Sequence, residues 1–156
     1  MDAVTEVIYS LNIEPITIIS KLLDSTPIFG IILLAIVVLS EKTTNKKAKI
    51  LLALMLAFII GFGLKQIYPI DRPCNLENLK DAECNGTSFP SLHTIIAFIL
   101  VSAHVRKKDY LRYLAFGLIV AFSRLYLGVH RFEEIAASAA LAPLIYHTVD
   151  IWWKDE

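Results

Sequence analysis

Two histidines in this sequence stand where they could take part in phosphoryl chemistry. His93 lies three residues after Pro90, and His130 lies two residues after Gly128, with Glu134 one helical turn further on. Residues four apart share one face of a helix, so Glu134 can orient the His130 ring and stabilise its cationic form. An imidazole held in this way can attack phosphorus and form a covalent phosphohistidine, while His93 can protonate a leaving oxygen. Taken alone, the Pro-Ser-x-His pattern is weak, and a structural histidine would also explain it.

Three basic side chains from different segments are candidates for binding the phosphate. Lys65, Arg72 and Arg124 lie at or near the ends of apolar runs that we expect to reach the same membrane face. Arginine offers a planar fork that matches phosphate oxygens, and lysine offers a point charge. The competing interpretation is that each side chain extends from a helix end toward the headgroups.

A helix start precedes His93. Ser88 reads as the N-cap and Pro90 as a first-turn residue, and the free backbone N–H groups of such a terminus attract anions. Ser91 adds a hydroxyl donor to this predicted phosphate site. Gly128 suits the left-handed conformation at a helix end, directly before His130.

The composition is typical of a small membrane protein. The chain has 156 residues, of which 56% are hydrophobic, and its mean hydropathy is +0.59. The 15 basic and 15 acidic residues cancel, which gives no support for a nucleic-acid partner. No cleavable signal peptide is evident, and we expect one membrane-embedded domain over residues 1–156.

The apolar runs predict an all-α, polytopic membrane helix bundle with about five transmembrane helices. The runs cover residues 27–39, 50–64, 92–105, 114–122 and 135–149. Each is shorter than the roughly 20 residues of an ordinary span, so flanking Tyr, Trp and Lys must complete the crossings. The pattern of apolar and charged residues in 1–25 predicts an amphipathic helix in the membrane interface, bent at Pro15. A sixth span is the alternative.

The distribution of basic residues predicts the orientation. Residues 41–49 and 106–112 each hold four Lys or Arg and belong to loops on one side, which we place in the cytoplasm. The candidate site then faces the extracytoplasmic side, where Cys74 and Cys84 could form a disulfide; free thiols are the alternative. His104 and His147 fall deeper along their helices, and we interpret them as interfacial or core histidines.

Three stretches together resemble the motifs of the type 2 phosphatidic acid phosphatase superfamily: K-x6-R-P, P-S-G-H and S-R-x5-H-x3-D. The corresponding residues here are Lys65 to Arg72-Pro73, then Pro90-Ser91-Leu92-His93, then Ser123-Arg124 with His130 and Glu134. Order and internal spacing agree, and three linked motifs are specific where one would not be. Two residues depart from the pattern, because Leu92 replaces a glycine and Glu134 replaces an aspartate.

The resemblance implies roles for these residues. His130 would be the nucleophile, oriented by Glu134, and His93 would protonate the leaving group and later help to activate water. The phosphoryl oxygens would be held by Lys65, Arg72, Ser91, Arg124 and the N–H groups near Leu92. The resemblance implies chemistry that needs no metal and no cofactor.

We therefore expect a membrane lipid phosphatase that acts on a lipid phosphate or diphosphate. An isoprenyl diphosphate is the first candidate substrate, followed by phosphatidate or phosphatidylglycerol phosphate. The alternatives are a lipid phosphotransferase and a non-catalytic, anion-binding membrane protein. The sequence predicts no particular oligomeric state.

Overall fold

The computed structural model describes residues 2–75, 80–82 and 84–153, and within them the chain forms seven α-helices and no strand. This confirms the predicted all-α class. The helices are α1 (Ala3–Ser10), α2 (Glu14–Asp24), α3 (Thr26–Ser40), α4 (Thr44–Ile67), α5 (Leu92–His104), α6 (Tyr110–Tyr126) and α7 (Phe132–Trp152). A short 3-10 turn, Pro73–Asn75, lies between α4 and α5.

The N-terminal segment forms two helices. The prediction of one helix bent at Pro15 was wrong, because the break between the helices lies before Pro15. The chain leaves helical geometry before the proline, and Pro15 lies in the first turn of α2. A proline is favourable there because the first N–H groups of a helix have no partner within it. Asp2 caps α1 by accepting a hydrogen bond of 2.9 Å from the Thr5 N–H group.

The next two helices, α2 and α3, meet at a sharp elbow around Ser25. Their axes differ by 79°, and the pair has the combined length and composition of one broken span or of a re-entrant segment. Pro27 lies in the first turn of α3, which allows the new helix to begin directly after the bend.

Two of the described helices, α4 and α7, are individually long and apolar enough to cross a membrane, and the bent pair of α2 and α3 makes a third candidate. The helix α5 has 13 residues, about 20 Å at 1.5 Å per residue, which is less than the ~30 Å hydrocarbon core. The expectation of five spans therefore stays a prediction.

The short α5 occupies the centre of the bundle and packs against α4, α6 and α7. Ile95 and Ile99 are fully buried, and they pack with α4 and α7 through Ala53, Ala57, Ala142 and Ile145. A helix enclosed by other helices contacts protein rather than lipid along its length. It therefore need not be as long as the bilayer is thick. The N-terminal end of α5, which carries His93, thereby lies inside the bundle.

The two basic loops meet at one end of the bundle. Lys46, Lys49, Arg106 and Lys107 line a common cavity of about 330 Å³. Next to it, the fully buried His104 ring stacks on Tyr113 at 3.6 Å between ring centroids. His104 is thus a core histidine, as predicted, and the shared cavity agrees with the prediction that both loops lie on the same side.

Leu92, the residue that stands in place of the superfamily's glycine, packs against a glycine of α4. A Cβ atom built on Gly61 would lie 2.3 Å from Leu92 Cδ2, which is far closer than two carbon atoms can approach. The missing side chain at position 61 therefore provides the space that the additional side chain at position 92 occupies.

We expect Gly61→Ala to lower the melting temperature of the detergent-purified protein by about 2–8 °C, because overpacking typically costs about 1–3 kcal/mol. Leu92→Ala in the same chain should restore most of the loss. Gly30→Ala is the control, since a Cβ there meets nothing within 4 Å. Equal melting temperatures for Gly61→Ala and Gly30→Ala would show that Leu92 does not need the space at position 61.

Candidate active site

The centre of the candidate site is the pair formed by His130 and Glu134. Gly128, at a φ of +68°, ends the turn after α6 and directs the chain toward α7. His130 Nδ1 lies 3.1 Å from Glu134 Oε2, and both side chains are almost fully buried. The neighbouring Glu133 is exposed. Because Glu134 occupies Nδ1, Nε2 is the ring nitrogen that remains for attack on phosphorus.

The environment of His130 keeps its ring neutral. The pKa of His130 is lowered to about 4, mainly by burial and also by the charges of Arg72 and Lys65, against the opposing effect of Glu134. A neutral imidazole carries the lone pair that a nucleophile needs. The ring is therefore neutral in the physiological pH range.

Ser88 holds the same carboxylate from the other side, a role that its sequence context did not indicate. Its hydroxyl donates to Glu134 Oε2, and its Oγ lies 3.5 Å from His130 Nδ1. Its backbone N–H donates to the Ile70 carbonyl at 2.7 Å. Ser88 thus joins the segment before α5 to the start of α7.

The N-cap of α5 is Ser91, so the prediction of Ser88 as the cap was wrong. Ser91 Oγ accepts from the Thr94 N–H at 3.4 Å and from the Thr94 hydroxyl at 2.9 Å. The Ser91 N–H donates to Ser138 Oγ of α7 at 2.9 Å. The start of α5, whose first N–H groups have no partner within the helix, is thereby joined to α7 one turn after Glu134.

His93 lies in that first turn with an unpaired ring nitrogen. Its Nε2 atom is buried and has no hydrogen-bond partner among the described residues. The His93 ring packs on Phe29 of α3 at 4.6 Å between ring centroids. Buried polar atoms are normally satisfied, so an unpaired nitrogen here indicates a group held ready for a substrate or a water molecule.

The three predicted basic residues lie near His93. Lys65, Arg72 and Arg124 all lie within electrostatic range of His93. Lys65 Nζ donates to the Thr87 carbonyl at 2.5 Å, which ties the end of α4 to the segment before α5. Arg124 is buried on α6 and donates to Asp24 at 2.5 Å.

A backbone hydrogen bond and a disulfide organise the loop that carries Arg72. The Cys74 N–H donates to the Gly128 carbonyl at 2.9 Å, which places the 3-10 turn beside the turn that holds His130. Cys74 is joined to Cys84 by a disulfide, with their Cα atoms 5.9 Å apart. Both contacts involve Cys74, and they hold the 3-10 turn that follows Arg72 close to the site.

The arrangement combines a buried histidine–carboxylate pair, a second histidine and positive charge, which are groups that phosphoryl transfer can use. All eight predicted catalytic and phosphate-binding residues lie in this region: Lys65, Arg72, Ser91, Leu92, His93, Arg124, His130 and Glu134. Among the described residues, no group of three or more His, Cys, Asp or Glu side chains is placed to hold a metal ion.

Two further contacts of the site could not be predicted from the sequence. Asp24 and Phe29, on either side of the α2–α3 elbow, touch Arg124 and His93 respectively. A carboxylate near the end of an amphipathic helix and a phenylalanine in an apolar run are both ordinary in sequence. Neither carried a signal that would have associated it with the site.

Comparisons with known proteins identify the family of the chain. No curated protein sequence matches the chain. The fold is similar to the crystal structure of Aquifex aeolicus LpxE, with a TM-score of 0.79, 19% sequence identity, and coverage of 95% of this chain and 93% of that chain. At this identity the likeness concerns the fold alone. The profile of the PAP2 superfamily matches residues 46–155, which contain all three motifs, and the chain therefore belongs to the PAP2 superfamily.

Proposed function

We propose that this protein is a membrane lipid phosphatase that hydrolyses a lipid phosphate or diphosphate through a phosphohistidine. The observation that carries the proposal is the buried His130–Glu134 pair, 3.1 Å apart, with a nearby second histidine and three cations. A non-catalytic anion-binding protein would need the cations but would have little use for this pair. Membership of the PAP2 superfamily supports a phosphatase.

In the proposed reaction, His130 Nε2 attacks the phosphorus atom and the bond to the leaving oxygen breaks. The bound anionic substrate favours the protonated form of His93, which donates its proton to that oxygen, and the cations hold the negative charge of the phosphoryl group. A water molecule, activated by the now neutral His93, then attacks the phosphohistidine. The nitrogen–phosphorus bond breaks, phosphate leaves, and both histidines return to their starting states.

A groove beside Arg124 supports a lipid as the substrate. The groove has a volume of about 420 Å³ and lies between α2 and α6, where Ile16, Ile19, Leu118, Ile119 and Phe122 line it together with Ser20 and Ser123. Both serines accept hydrogen bonds from Arg124. An apolar tail in this groove would have its charged head beside the basic cluster. An isoprenyl diphosphate is our first substrate choice, with phosphatidate or phosphatidylglycerol phosphate next.

The site would face the extracytoplasmic side of the cell membrane. The basic loops around Lys46 and Arg106 gather at the far end of α5 from His93. Basic loops favour the cytoplasm, so the opposite end, with the disulfide, would lie outside.

The first test is phosphate release by the detergent-purified protein in excess EDTA. An isoprenyl diphosphate and a phosphatidate are offered side by side. We expect release from at least one of them, and a loss of about 10³-fold or more in His130→Ala because the nucleophile is gone.

His147→Ala is the matched control, since this exposed histidine of α7 lies at the opposite end of the bundle and should leave release unchanged. Undiminished release in His130→Ala would overturn the histidine mechanism. Release that EDTA abolishes would overturn metal independence. Transfer of phosphate to an added acceptor lipid, without free phosphate, would instead identify a phosphotransferase.

The second test concerns the protonation of His130. Because burial lowers its pKa to about 4, the ring should stay neutral as the pH falls from 8 to 5 and take up a proton only near pH 4. Histidine-selective isotope labelling and NMR in micelles measure this directly, whereas rates would also report the substrate phosphate, which titrates near pH 6. The His130→Asn spectrum assigns the signal. A midpoint near 6.5 would contradict the environment described here.

The third test concerns the tail groove. Ile119→Trp should fill part of the groove and lower kcat/KM for a long-tailed substrate by about 10-fold, consistent with roughly 1–3 kcal/mol for pocket changes. A short-chain phosphate ester should be hydrolysed as before. Leu144→Trp, on an exposed position of α7, is the control. An equal loss for long and short substrates would argue against this groove.

A further inference from the structure

Arg124 is held from a helix that lies outside the matched superfamily region. Its Nη1 donates to Asp24 Oδ1 at 2.5 Å, and its Nη2 donates to the Ser20 carbonyl at 3.3 Å. Both partners belong to α2, whereas the superfamily profile begins at residue 46. The third contact is local, from Nε to Ser123 Oγ at 3.2 Å.

This environment is built for a fixed guanidinium group. The Arg124 side chain is 1% exposed and that of Asp24 is 15% exposed. A buried cation is strongly unfavourable without a counter-ion, and Asp24 supplies one at the C-terminal end of α2, where the helix dipole also favours positive charge. Of the five N–H groups of Arg124, three make these contacts with described residues, and one N–H on each of Nη1 and Nη2 takes no part in them.

We propose that Asp24 is a positioning residue of the active site, which fixes Arg124 so that its two remaining N–H groups face the phosphoryl group. The inference rests on the proposed phosphatase function. The same elbow contacts the site a second time, because Phe29 of α3 packs on the His93 ring. The α2–α3 elbow therefore forms a wall of the site that the three motifs do not include.

A competing role for Asp24 predicts the opposite sign. A carboxylate that merely occupied the phosphate position would have to be displaced by the substrate. Its removal would then strengthen anion binding and lower KM. A positioning carboxylate, by contrast, improves the use of Arg124 in the transition state, so its removal lowers kcat.

The test compares Asp24→Asn, which keeps the shape and removes the charge, with wild type on the substrate that the first assay identifies. We expect kcat to fall by about 10- to 100-fold with a smaller change in KM, as for loss of an orienting partner. In an Arg124→Ala background, Asp24→Asn should cause no further loss, because Asp24 acts only through Arg124. Additive losses, or a lower KM at undiminished kcat, would overturn the inference.

Two further variants separate positioning from folding. Asp24→Glu keeps the charge and should retain more kcat than Asp24→Asn at a similar melting temperature; equal loss in both would overturn the inference. Asp81→Asn is the matched control, because this exposed carboxylate pairs at 3.7 Å with Lys21 of α2, the helix that carries Asp24. It should leave kcat unchanged, and a loss equal to that of Asp24→Asn would show a general effect of charge near α2.

Orthovanadate, a phosphate-like anion, gives a readout without turnover. It should raise the melting temperature of wild type, and raise that of Asp24→Asn by less. A wild type that neither releases phosphate nor responds to orthovanadate would overturn the proposed function and this inference together. If wild type releases phosphate and responds to orthovanadate, and Asp24→Asn equals it in both measurements, the inference alone would be overturned.

Discussion

The site depends on one buried carboxylate. Glu134 Oε2 accepts from the Arg131 N–H at 3.1 Å and from the Ser88 hydroxyl, and it lies 3.1 Å from His130 Nδ1. A buried carboxylate is stable only when such donors compensate for its lost hydration. Because the donors come from two separate parts of the chain, satisfying Glu134 requires α7 and the segment before α5 to come together. The same requirement orients the His130 ring, so the packing of the bundle and the geometry of the candidate site depend on one interaction.

The rest of the bundle brings further segments to that carboxylate. Three hydrogen bonds donated by backbone N–H groups join the segments that carry the motifs: Ser88 N–H to the Ile70 carbonyl, Cys74 N–H to the Gly128 carbonyl, and Ser91 N–H to Ser138 Oγ. Each satisfies a polar backbone group that would be costly to leave unpaired in an apolar setting. The central position of α5 has the same cause. Its polar N-terminal end is paired with protein groups, and its apolar length packs against other helices.

The two departures from the superfamily motifs have local explanations. Leu92 takes the place of a glycine, and Gly61 of α4 provides the space for its side chain. Glu134 takes the place of an aspartate, and its longer side chain still reaches His130 Nδ1 within hydrogen-bond distance. Neither departure removes a polar group from the site. Both are therefore compatible with the proposed chemistry and give no reason to regard the protein as inactive.

The sequence alone determined the relations that depend on local geometry. The spacing of His130 and Glu134, the glycine turn before them and the start of α5 near His93 all follow from helical periodicity and capping, which act within a few residues. Tertiary structure decided the relations between distant segments. Arg124 and Asp24 are 100 residues apart, and Ser88 and Glu134 are 46 apart. Such pairs depend on the 79° elbow and on how buried faces pack, which no local pattern encodes.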